Sequence, residues 1–328
     1  MPMHETVTTG SGLPRIKRQS ETMKNKQKRA VQLPPLLAKQ SLILLATAQA
    51  QQANIFRSST RVEGLHDYRV ALRKLRSLVT QMKKLFPDDC AQRLNQQLGL
   101  MARKTNTLRD IDVYQQQWQH YQKNLTRKQR QLLAKLTLKE KQHQQRERAR
   151  VIAWLSSKNY QRTFASIQHW FALAEQEAIA EAAPSPSLIS WLQKQMNKRY
   201  QVIRAAAQAL HEPVADEQLH ALRIQGKKLR YLVELFPQAS EKTDWELLHK
   251  PLKKLQSHLG NVNDCAVQLQ GIRRKQARLM QQQYPHQAAT LNALLEVKKQ
   301  IKQQARTEKA AALKLLTALQ HLPPSIHA

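Results

Sequence analysis

The chain repeats itself, and a repeat limits the folds open to it more than any single motif does. The stretch LHDYRVALRKLR, from Leu65 to Arg76, matches LHALRIQGKKLR, from Leu219 to Arg230, at an offset of 154 residues. Farther on, Asn106-Thr-Leu-Arg-Asp-Ile-Asp-Val113 matches Gly260-Asn-Val-Asn-Asp-Cys-Ala-Val267 at the same offset. Between these blocks, Phe86-Pro87 and Phe236-Pro237 stand 150 apart. The first repeated helix is therefore longer by about one turn, and the segment after it is shorter by the same amount. Register kept on both sides of a compensating change argues for duplication, and so for two similar halves.

Both halves read as helical. Only 7 of 328 residues are Gly, and Leu, Ala, Gln, Lys and Arg fill most positions. These are strong helix formers, and tight hairpin turns have little material to use. The expected fold is all-α, two pseudo-symmetric helical bundles from an internal duplication. Pro34-Pro35 opens the helical region, Pro184-Ser-Pro-Ser187 divides it, and Pro323-Pro324 follows it. The expected organisation is a disordered basic tail over 1–33, one bundle over 34–185, a second over 186–322, and a short tail over 323–328. Asn106 and Gly260 suit the left-handed conformation that ends a helix. Thr107-x-x-Asp110 and Asn261-x-x-Asp264 then read as N-caps with an acid at N3. A tight corner is expected in each half, separating helices near 89–104 and 108–123, and near 242–258 and 262–283. The aspartates are read as caps ahead of ligands.

Each repeat carries a basic stripe. His66, Arg69, Arg73 and Arg76 share the spacing of His220, Arg223, Lys227 and Arg230. At about 100° per residue each set occupies an arc of roughly 80° on one helix face. The apolar sets Leu65, Tyr68, Leu72, Leu75, Val79 and Leu219, Leu222, Leu229, Val233 occupy the neighbouring arc. A solvated face would lie opposite the core and mix signs; these stripes border the core and contain no acid. They have the character of a groove wall that receives an anion. Arg holds two phosphate oxygens in a planar fork and keeps its charge, whereas Lys227 supplies a mobile point charge. A bound phosphate favours the charged imidazole of His66 and His220, so binding is expected to strengthen as pH falls toward about 6. Lys74 and Lys228 point to the other side of the histidines, either lining the groove edge or facing water. Lys84, Arg103 and Arg109 are lesser candidates to extend the track. Whether the stripes line one groove or two stays open.

Charge selects the partner class. Lys and Arg number 54 against 23 Asp and Glu, a net charge of +31, which in one compact body repels itself unless a polyanion is bound. Cys90 and Cys265 lack any ligand spacing and read as reduced helical thiols. No apolar run reaches the ~20 residues of a membrane span, and no leader is visible; a soluble, cytoplasmic protein without membrane association is expected. Catalysis is not expected: Gly226-Lys227-Lys228 has Ala221 where a phosphate-binding loop needs Gly, and Asp110, Asp112 and Asp264 are too cap-like for a two-metal site. No cofactor or metal is expected. Nucleic acid is the rival partner, with weak non-specific binding. Yet aromatics make up only 5 % of the chain, and single-strand binders interleave stacking rings with their cations.

The two stripes, with Arg109-Asp110-x-Asp112-Val113, resemble the paired motifs of the CHAD domain, the conserved histidine α-helical domain. The likeness spans about residues 35–321. Asn106 replaces the more usual Gly, and Asn263 stands where the first half has Arg109. The resemblance implies two helical bundles whose motif helices face a shared basic groove, and a non-catalytic module that binds inorganic polyphosphate and joins polyphosphate granules. Some relatives carry a neighbouring CYTH triphosphatase domain; its ExExK pattern is missing here, since Glu175-x-Glu177 is followed by Ile179.

Overall fold

The computed structural model describes residues 33–57, 62–87, 89–177, 186–209, 214–240, 245–281 and 285–320. The expected tails, and most of the Pro184–Ser187 break, lie outside these residues. The helices are α1 (Pro35–Arg57), α2 (Glu63–Gln81), α3 (Cys90–Lys104), α4 (Asn106–Gln122), α5 (Arg127–Leu155) and α6 (Lys158–Glu177). They are followed by α7 (Pro186–Gln208), α8 (Asp216–Leu235), α9 (Trp245–Gln281) and α10 (Gln287–Gln320). Single 3-10 turns, Lys83–Leu85 and Pro237–Ala239, follow α2 and α8. The fold is all-helical, with no strand among the described residues.

Apolar periodicity sets the packing. Every member of the two predicted apolar arcs is buried, and α2 and α8 are the two helices that carry the basic stripes. Within the first half α2 packs between α1 and α3; within the second α8 packs between α7 and α9. The motif helices also touch each other. Gln81 Nε2 donates to the Lys228 carbonyl at 3.2 Å, and Glu234 of α8 accepts from Lys74 of α2 at 2.7 Å.

Two apolar cores result. The larger runs from Leu33 to Leu316 and draws on both sides of the proline-rich break. The smaller lies where the ends of α4 and α5 meet α9 and α10, joining Trp118, Tyr121, Leu125 and Leu133 to Cys265, Ile272, Leu279 and Leu294. Thr126 begins α5 with a reciprocal capping box, its hydroxyl accepting from Gln129 N–H at 3.2 Å while Gln129 Oε1 accepts from Thr126 N–H at 2.9 Å. The smaller core stands apart as a distal bundle. No helix among the described residues is long and apolar enough to cross a membrane.

The expected corners turn out unequal. In the first half the chain does break, at Thr105, between α3 and α4. Thr107 lies inside α4 and caps nothing, so Asp110 stands beyond the first turn and is not a capping acid. In the second half there is no corner: α9 runs unbroken for 37 residues through Gly260 and Asn261. Gly costs roughly 1 kcal/mol in a helix interior, and packing along most of α10, the most extensive helix pair in the molecule, outweighs that local preference.

Leu75 and Leu229 seat the two motif helices, at 0 % and 1 % exposure. Truncating either to Ala should lower unfolding free energy by ~2–5 kcal/mol, read as an earlier midpoint in urea with an unchanged slope.

Candidate functional site

The helix break at Thr105 has a specific occupant. Arg69 Nη1 donates to the Ala102 carbonyl at 2.7 Å and to the Thr105 hydroxyl at 2.8 Å. The Thr105 hydroxyl in turn donates to the same carbonyl at 2.9 Å. The carbonyls of a helix end have no intrahelical partner; here a buried threonine and an arginine from the motif helix satisfy one of them. Burial, with Arg73 nearby, draws the Arg69 guanidinium down to about 10 despite Asp110. Arg69 is thus fixed as part of the wall.

Arg73 is exposed and stands at the centre. It lies within electrostatic reach of Arg69 and His66 on its own helix, of Arg109 on α4, and of Arg223 and Lys227 on α8. The two stripes therefore converge on one cluster. Arg109, the lesser candidate, belongs to it: burial lowers its pKa, against Asp112, Asp264 and Asp110. Burial comes first for His66 too, followed by Arg109, and together with Arg73 and Arg69 they lower its pKa against Asp67. His220 is exposed near the start of α8.

Lys227 is the most perturbed cation. Burial, then Arg223, Arg73 and Arg230, pull its ammonium down to about 7, with Asp264 opposing. Arg223 rides over Gly260, where a β-carbon would stand 3.8 Å from Nη2. Gly99 gives a similar bare surface in the first half: a β-carbon there would lie 3.3 Å from Arg103 Nη1 and 3.6 Å from Arg76 Cζ. So Arg76 and Arg103 share one shelf on α3. Lys84 sits on the 3-10 turn at the far end of α2, exposed, and no described contact brings it to the cluster.

The acids are what the stripes did not reveal. Glu234 binds Lys74 at 2.7 Å and Arg230 Nε at 3.3 Å, which makes Lys74 a tie between the motif helices. Glu234 stands at i+4 from Arg230, a visible signal that lies outside the stripe itself. The Arg230 guanidinium also lies 5.3 Å from the centre of the Tyr231 ring. Lys228 is half-buried beside this tie, its carbonyl held by Gln81. Asp110, from α4, and Asp264, from α9, feel each other and the arginines between them. Burial raises the Asp110 pKa against Arg69 and Arg109. Asp112 is buried and accepts from Gln144 Nε2 at 2.5 Å. Thr105 was the other omission; it sits beside Asn106, whose type drew attention first.

Chemically, the arrangement offers a dense, partly desolvated array of donors with too few carboxylates to neutralise it. The CHAD domain family model matches residues 42–273. The crystal structure of the CHAD domain from the plant Ricinus communis superposes with a TM-score of 0.64 at 20 % identity, covering 90 % of this chain and 95 % of that one. PptA from Streptomyces chartreusis gives 0.61 at 15 % identity, covering 86 % and 98 %. At these identities the two structures speak for the fold. No curated protein matches in sequence.

A depressed lysine leaves a mark on stability. Below pH ~7 Lys227 is charged in folded and unfolded chains alike, so the folded state bears the full penalty of its crowded site. Between ~7 and the unfolded value near 10.4 the unfolded chain binds the extra proton, and stability rises with pH. Lys227→Met should therefore raise the melting temperature at pH 6, and the gain should fade toward pH 10.

Proposed function

Because the chain belongs to the CHAD domain family, we propose that it is a non-catalytic module that binds inorganic polyphosphate at the cluster centred on Arg73 and that this binding brings it to polyphosphate granules. The observation that carries the reading is the convergence of Arg69, Arg73 and Arg109 with Arg223 and Lys227 from the other motif helix. Cations gathered this closely destabilise the free protein. A polymer of phosphates relieves that repulsion along its whole length, and it needs cations only, with no base-reading or stacking groups. An exposed fork such as Arg73 donates to paired phosphate oxygens, and Lys227 adjusts to the next phosphate as a mobile charge.

Binding then takes up a proton. An anion beside Lys227 raises its pKa from about 7, so affinity should fall as pH rises from ~7 to ~9, by up to ten-fold per unit for one linked proton. Lys227→Arg should flatten that slope. His66 adds a second uptake only at lower pH, because its pKa is depressed in the free protein.

The deciding experiment is a titration of the purified chain with long-chain polyphosphate, with duplex and single-stranded DNA as competitors. Polyphosphate should win by ten-fold or more. Arg73→Ala should weaken binding by roughly 10–100-fold, the worth of one charged hydrogen bond at ~1.5–3 kcal/mol, with a melting temperature no lower than that of the unmutated chain, because Arg73 is exposed and its loss relieves repulsion. With about six phosphates contacted, log K should fall against log salt with a slope near −4. Equal competition by DNA, with Arg73→Ala binding as before, would remove the cluster as the site and favour a general nucleic-acid binder.

A further inference from the structure

The central cluster accounts for only part of the charge. Residues 114–141 contain seven Lys and Arg against one acid, Glu140; residues 266–306 contain eight against one, Glu296. These two stretches build the distal core. Glu140 is engaged by Lys275, whose ammonium also lies 5.1 Å from the Tyr114 ring and 5.5 Å from that of Trp118. Here, unlike the centre, the cations are long exposed side chains: Arg127, Arg130 and Lys141 on α5, and Arg273, Arg274 and Arg278 on α9.

Two further observations point to a ligand. The first turn of α5 carries Arg127, Lys128 and Arg130 and no acid, although a helix N-terminus is electropositive and favours acids there. Arg127, Arg130 and Lys141 also line a cavity of about 430 Å³ between α4 and α5, whose remaining wall includes Gln115, Gln119 and Trp118. Glu140, engaged by Lys275, lines it too; Trp118 is only 5 % exposed and its ring stacks on Tyr114, so the wall offers mainly amides and cations and no free aromatic platform for bases. The chemistry matches a phosphate polymer.

The distal surface and the centre share two helices, although on α4 they lie on different faces, since at about 100° per residue Gln115, Trp118 and Gln122 sit on the far side from Arg109. Arg109 opens α4 at the cluster, and Gln122 closes it at the cavity; at 1.5 Å per residue the separation is about 20 Å. On α9, Asp264 lies at the cluster and Arg273, Arg274 and Arg278 follow along the same helix. We propose that the distal bundle is a second polyphosphate-binding surface, reached by long chains that leave the central cluster and pass round α4, while short chains hold the centre alone. The inference rests on the central binding reading. Two linked contacts on one polymer raise overall affinity by a factor set by the span between them, up to about 10²–10⁴.

The test uses the full chain and a charge-reversed variant, Arg127→Glu with Arg130→Glu and Lys141→Glu, titrated with tripolyphosphate and with long-chain polyphosphate. Tripolyphosphate affinity should stay within two-fold or so, while long-chain affinity falls about ten-fold or more and its salt slope becomes shallower by about 2. The neutral counterpart with Gln at the three positions should show a smaller loss in the same direction, and both variants should keep the native circular dichroism and melting curve. Unchanged long-chain affinity and slope in the reversed variant would overturn the distal proposal, and it would leave the centre intact provided Arg73→Ala still weakens binding of both polymers. Loss of duplex DNA binding alone would overturn the assigned partner. A wild-type chain that binds neither polyphosphate would overturn the central reading, and this one with it.

Discussion

Mutual repulsion among the cations of α2 and α8 is the force the rest of the molecule has to contain. It is contained by apolar contact on the adjoining faces of the same helices. Leu65, Tyr68, Leu72 and Leu75 on one side, and Leu219, Leu222 and Leu229 on the other, are almost wholly removed from water. Each such side chain contributes roughly 1.5–3 kcal/mol by burial, whereas crowded charges at a half-exposed site are screened. Apolar burial exceeds the repulsion and fixes the helices, so the charged groups are held where they would not gather unaided.

Acids refine that balance without cancelling it. Glu234 couples the motif helices by holding Lys74 from one and Arg230 from the other. Asp110 and Asp264 approach from α4 and α9 and partly offset the arginines. A cluster fully matched by carboxylates would have no reason to accept an outside anion. One with no carboxylates would strain the fold. Burial first, and the residual repulsion after it, leave Lys227 easily deprotonated.

Much of this was legible in the sequence because it depends on periodicity. The apolar and basic arcs of α2 and α8 follow from 3.6 residues per turn, and both lie where the spacing puts them. What periodicity could not give is which stripe meets which, since that depends on helices far apart in the chain. The convergence at Arg73 and the tie through Glu234 are of this kind. The corners show a different limit. Gly260 and Asn106 share a local preference for ending a helix, yet α9 continues through Gly260 and the first half breaks one residue before Asn106, at Thr105. Local propensity of about 1 kcal/mol yields to long-range packing, and in the first half the choice of residue is set by a hydroxyl that Arg69 can reach.

That unequal pair of corners makes the two walls mechanically different. At Thr105 the hydrogen-bond ladder is interrupted, with Thr105 N–H reaching back to Ala102 O at 3.2 Å, and Arg69 and the Thr105 hydroxyl pin the break by bonding that same carbonyl. On the opposite side α9 runs for 37 residues with Pro251 inside it, about 55 Å at 1.5 Å per residue, and passes Gly260 and Asp264 without a corner. One wall has a joint that a side chain from the motif helix holds shut, and the other has none there. Arg109 thus takes its place from a pinned joint, while Arg223 of α8 rests over Gly260, on a helix that continues past it.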